Sequence, residues 1–155
     1  MDVDLNYRTE LADQFIERLA RLSPEQWREV VAHNERDGSY YQLAVELVNE
    51  ATQLVGSEKV AQYETALNVR RRRVSAIVSD VAASLTTQTA ATASTMAICA
   101  MHALMMRDRY GFNAGAFGIL IGPFRPYVDL PELERTATRL VTPLGVPRQP
   151  SAEPR

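Results

Sequence analysis

Between Asp80 and Arg107 lie twenty-six consecutive residues, Val81 to Met106, without one charged side chain. A run that long and that apolar has few soluble destinations. It is the buried spine of a helical bundle, a seam between two copies, or a membrane span, for which about 20 apolar residues suffice. Its composition decides among them. Ala, Thr, Ser and Met dominate, and Thr86-Thr87-Gln88-Thr89 with His102 makes the stretch too polar for the middle of a bilayer. The small side chains at Ala82, Ala83, Ala90, Ala91, Ala93, Ala97 and Ala100 let another backbone come close. The expectation is a long, small-residue-rich helix near the centre of a bundle or at a homodimer seam, and not a membrane span.

Just upstream stands the run Arg70-Arg71-Arg72-Arg73. Four consecutive residues cover about 300° of a helix, so they cannot share one side. No acid falls between residues 66 and 77, which leaves the four without an i±3 or i±4 partner on their own helix. Their charges must meet acids from elsewhere, solvent, or a polyanion. A helical basic cluster can neutralise several phosphates. No aromatic residues interleave it and no recognisable DNA-binding motif accompanies it, so pairing with acids is preferred and nucleic acid is the alternative. Arg71 lies on the heptad row Glu64, Arg71, Val78, Leu85 and is expected to meet an acid there.

The supply of acids is uneven. Residues 1–64 hold thirteen acids and six bases, a net −7, and residues 65–155 hold six acids and eleven bases, a net +5. The two parts can attract each other within a chain or between copies. The overall charge of −2, with 46% hydrophobic and 23% charged residues, is ordinary for a soluble globular protein. At 155 residues the chain forms about one domain and buries about two-thirds of its unfolded surface. One cysteine, the acidic opening Met1-Asp2-Val3-Asp4 and no following apolar run predict a cytoplasmic protein.

Periodicity predicts an all-α fold of five or six helices in one domain, residues 1–141. The first helix, over 2–22, carries Leu5, Ala12, Phe15, Ile16, Leu19 and Leu22 on one stripe. Ser23-Pro24-Glu25-Gln26 reads as a capped start, with Gln26 closing a capping box. A third helix runs over 40–55 to Gly56 at C′, and Ser57 is the expected cap of the fourth. The low-propensity Thr86–Thr89 predicts a break there, giving helices over 58–85 and 90–109. Short helices follow over 114–121, after an Asn113 cap, and over 131–141, after an Asp129 cap. From Thr142 a proline-rich tail to Arg155 reads as disordered.

Two further clusters bear on function. Cys99, His102 and Met106 share a narrow face of one helix, and thiolate, imidazole and thioether suit a soft metal or haem. One helix cannot surround a metal, and Met and Cys are common core fillers, so no metal or cofactor is expected. The glycine-aromatic stretch 111–127 holds Phe112, Phe117, Ile119, Ile121, Phe124 and Tyr127, which either close one end of the bundle or form an apolar contact patch. Gly115 and Gly118 are expected to permit close packing beneath it. No phosphate loop, catalytic triad or dinucleotide fingerprint is present. The sequence therefore predicts a non-enzymatic, self-assembling or protein-binding helical module. Polyanion binding through Arg70–Arg73 is the alternative, and soft-metal or haem binding in the core is a third reading.

Overall fold

The first stripe buries as its spacing predicts. α1 (Val3–Leu19) sends Leu11, Ala12, Phe15, Ile16 and Leu19 inward, and Leu22 follows them into the core. In this computed structural model the backbone is described over residues 3–33, 39–107 and 114–145. Ser23 ends the connection as an N-cap: its Oγ accepts from the Gln26 amide at 3.1 Å, and the Gln26 side chain accepts from the Ser23 amide at 2.9 Å. Both halves of the capping box are therefore made. α2 (Pro24–Ala32) then buries Trp27 and Val30.

α3 (Ser39–Val55) packs Tyr40, Ala44, Leu47 and Ala51 inward, while Val55 at its end is exposed. Gly56 separates it from α4 (Ser57–Val81) with φ at 92°, a left-handed backbone that favours glycine. Gly56 is itself the N-cap of α4, and no side chain caps that start. Ser57, the expected cap, is already the first helical residue. α4 buries Val60, Tyr63, Leu67, Val74 and Val78.

The spine is two helices, but the break lies earlier than the threonines suggest. α4 stops at Val81, a 3₁₀ turn covers Ala82–Ser84, and Leu85 is extended. Thr86 then caps α5 (Thr87–Met106), its Oγ1 accepting from the Thr89 amide at 3.0 Å. The polar Thr-Thr-Gln-Thr run starts the second helix instead of interrupting the first, because a β-branched hydroxyl residue is poor inside a helix and good at its N-cap.

α5 is the hub. It packs against α1, α2, α3, α4 and α6, and from Met96 to Met106 all but Ile98 and His102 are buried. It is long and apolar enough to span a membrane by length and composition alone. Its C-terminal end is held by α1. Arg8, only 8% exposed, binds Asp4 through Nε and donates from Nη1 to the carbonyls of Met105 at 2.7 Å and Arg107 at 2.9 Å. Tyr63 stacks under the same guanidinium at 4.7 Å and donates its hydroxyl to Asp4. A cation on orphan carbonyls at a helix C-terminus is favoured by both hydrogen bonding and the helix dipole.

α6 (Ala114–Ile121) matches the expected short helix, and a 3₁₀ turn over Gly122–Phe124 follows. Phe124 meets Phe15 edge-on at 5.3 Å and Trp27 at 6.2 Å, which joins α1 and α2 to this corner. Asp129 caps α7, its Oδ1 accepting from the Glu132 amide at 3.2 Å. α7 (Leu130–Gly145) packs on α1 and passes the expected end at Val141, with Pro143 inside its last turn. The described residues thus form one all-α domain of seven helices with no strand, more than the five or six expected. The segments expected one by one already number seven, so what is corrected is the total and not the segmentation. Residues 146–155, most of the expected tail, lie outside the described residues.

Candidate functional site

The four arginines have different neighbours because each points a quarter-turn from the next. Arg70 grips Asp13 of α1 with two bonds, Nε to Oδ1 at 2.8 Å and Nη2 to Oδ2 at 3.1 Å, and also donates to the Ala66 carbonyl. Arg73, one turn on, donates to the same Oδ1 at 2.8 Å. One carboxylate therefore takes two guanidiniums. Arg71 and Arg72 are exposed and make no hydrogen bond or ion pair with the described residues. Within the chain Arg71 meets no acid of the described residues, and its neighbours Arg70 and Arg73 do so instead. Val60, Leu67 and Val74 hold the core, while Glu64 and Arg71 lie at its edge on a row that enters the core only at Val78.

At that edge lies a groove of about 350 Å³ between α3, α4 and α5. Ala44, Val45 and Val48 of α3 and Ile98 of α5 make its apolar floor and walls. Tyr41, 69% exposed, stands beside it. Glu64 and Arg71 line it from α4, two turns apart, and Thr95, Cys99 and His102 line it from α5. Like Arg71, Glu64 has no hydrogen-bond or ion-pair partner among the described residues.

The electrostatics of this wall follow from burial and from Arg71. His102 is pushed down to about 4, first by desolvation and then by the Arg71 charge, so its imidazole is neutral at pH 7. Its Nε2 is buried without a hydrogen-bond partner, a distinction shared among the described residues with Trp27 Nε1. Burial raises the Cys99 thiol, and the Arg71 charge offsets only part of that. A thiol held protonated is a poor nucleophile and a poor metal ligand.

Cys99 and His102 thus share one cavity wall, whereas Met106 is buried outside it. No group of three or more His, Cys, Asp or Glu residues among the described ones is arranged to hold a metal ion. The aromatic stretch goes inward. Phe117, Ile121 and Phe124 are buried, and Arg107 stacks on the Phe117 ring at 4.6 Å while pairing with Glu134. Tyr127 is half-buried with its hydroxyl donating to Glu29, and Ile119 is the exposed member at 38%. Phe112 lies outside the described residues. Among the described residues, Phe117, Ile121 and Phe124 pack into the bundle's end and Ile119 is the exposed one.

Sequence reasoning missed the α3 wall of the groove. A signal existed: Val45 lies off the stripe of Tyr40, Ala44, Leu47 and Ala51, and with Val48 it widens the apolar arc of α3 beyond what one contact needs. Asp13 was visible only as an acid on the wrong face of α1. Comparison with protein-family models, curated proteins and solved structures returned no match.

Proposed function

We propose that this protein acts by binding another polypeptide chain, without catalysing a reaction, and that the chain it binds is a second copy of itself. The observation that carries the reading is a charge-free, small-residue face left open on the first turns of α5. Gln88, Ala91 and Thr95 are exposed there, on the row that continues into Cys99 and His102, and Ser75 is exposed one turn beyond Arg71 on α4. Depletion of charge marks the centre of interfaces, and small side chains let two helices approach closely. A two-fold axis near Ala91 places this row against its own copy, since an isologous contact needs a self-complementary patch.

The face is small. A stable dimer buries on the order of 1,000 Å² or more, so the association is expected to be weak and concentration-dependent. The protonated Cys99 thiol and the neutral, unpartnered His102 support binding over nucleophilic chemistry. The polyanion alternative is weakened by Asp13, which engages Arg70 and Arg73 and leaves two arginines free.

Sedimentation across a concentration series tests the proposal. Wild-type protein is expected to shift reversibly from monomer to dimer, and Ala91→Glu to remain monomeric with an unchanged melting temperature. Because the face carries no charge, high salt should not dissociate the dimer. A wild-type chain that stays monomeric at all concentrations, or an Ala91→Glu variant that dimerises normally, contradicts it.

A further inference from the structure

We infer that the groove between α3, α4 and α5 is a binding site for a small amphipathic carboxylic acid, its hydrocarbon body on the apolar floor and its carboxylate at Arg71. The inference goes beyond self-association and does not depend on it. Its first ground is shape and lining. A concave site of about 350 Å³ falls within the range of ligand pockets, and such sites combine apolar walls with a few convergent polar groups. Val45, Val48 and Ile98 supply the walls. Thr95 to His102 spans seven residues of α5, about 10.5 Å at 1.5 Å per residue, which suits an extended short acyl chain.

The second ground is charge. Arg71 is the cation of this groove, and no described residue neutralises it. A guanidinium suits a carboxylate because two parallel N–H donors match its two oxygens, and the apolar floor beside it suits a hydrocarbon chain. His102 adds a neutral ring in the same wall, with a buried Nε2 that no protein atom satisfies. A neutral imidazole presents either a donor or an acceptor at Nε2, and a buried polar atom is costly when left without a partner. Glu64, the groove's own carboxylate, stands two turns away on α4. It repels an anionic head and so sets the direction of entry, with the acid's tail toward Glu64 and its head toward Arg71. A ligand with a cationic head would take the reverse orientation, which makes the sign of the head a direct test.

Octanoate, octanol and octylammonium share one hydrocarbon length and differ in head charge, so calorimetric titration of each into the full chain separates the possibilities. Octanoate is expected to bind saturably at one site and more tightly than the other two. Arg71→Gln is expected to weaken octanoate by about tenfold or more, the worth of a charge-assisted pair, and to leave octanol unchanged. Arg71 is exposed and unpaired, so this variant keeps the wild-type melting temperature. Val48→Trp, which fills the floor, is expected to abolish binding of octanoate and octanol alike. The His102 imidazole resonances should move on octanoate addition. Absence of saturable octanoate binding, equal octanoate affinity in wild type and Arg71→Gln, or tighter binding of octylammonium overturns the inference. Thr95 belongs both to this groove and to the proposed self-contact, so the titrations are made at concentrations where sedimentation shows monomer, and sedimentation with and without octanoate follows the association separately.

Discussion

His102 illustrates how one burial sets a measurable pH dependence. Its folded pKa, about 4, lies below the unfolded value of 6.5. Between those values the unfolded chain binds a proton that the native chain refuses, so stability rises with pH across that window. Stability from this residue is complete above pH 6.5 and is lost as pH falls toward 4, by about 3 kcal/mol in all. In urea titrations His102→Leu is expected to lose less stability than wild type over this range. At neutral pH it should be as stable or more so, since the unpartnered Nε2 is removed. Parallel pH profiles for the two proteins would contradict this. The arginine run makes a second residue-scale prediction. Arg70→Ala leaves Asp13 with only the exposed Arg73 and should cost about 1–3 kcal/mol, whereas Arg72→Ala should stay within about 0.5 kcal/mol of wild type. Equal melting temperatures for the two variants would show that Asp13 is not the organising partner.

Among the elements, the informative cases are the helix ends. The capping box at Ser23–Gln26 and the Asp129 cap were legible because each depends only on residues three apart. The α4–α5 break was legible in kind but was placed too late, since Thr86 reads equally as a helix breaker and as an N-cap. Only the residue before it, Leu85, turning extended decides between the two. The Arg8 anchor could not be read at all. Its acceptors are backbone carbonyls some 97 and 99 residues away, and backbone atoms leave no sequence signal. Arg8→Met is expected to cost several kcal/mol, since it leaves Asp4 partly buried without its cation and the end of α5 uncapped. The fraying should appear as faster amide exchange over the last turn of α5. For α6 the expected close packing at Gly118 is not found: a Cβ built there meets nothing within 4 Å. Gly118→Ala should therefore stabilise the protein by about 0.5–1 kcal/mol through helix propensity. A loss of stability would mean that a neighbour does pack against Gly118.

At the scale of the whole molecule, the −7 and +5 imbalance is partly settled inside the chain. Asp13 meets Arg70 and Arg73, so charge alone no longer calls for a partner. What remains unspent is the uncharged face of α5. The twenty-six-residue stretch announced a central helix, and α5 takes up all of it from Thr87 on. It could not announce that the first half would emerge from the core, because alanine and threonine are at home in both places. The groove was hidden for another reason: α3, α4 and α5 follow one another in the chain, but only their packing brings Val48, Arg71 and His102 round one cavity. The central claim, that a second copy covers the exposed row of α5, is tested most directly by cross-linking. In a Cys99→Ser background, Ala91→Cys places a thiol beside the proposed two-fold axis, and Ala20→Cys places one on an exposed position elsewhere. Under mild oxidation Ala91→Cys is expected to form a disulfide-linked dimer rapidly, since only close Cα pairs can be bridged without strain. Ala20→Cys is expected to remain monomeric. Cross-linking of Ala91→Cys no faster than of Ala20→Cys would contradict the account.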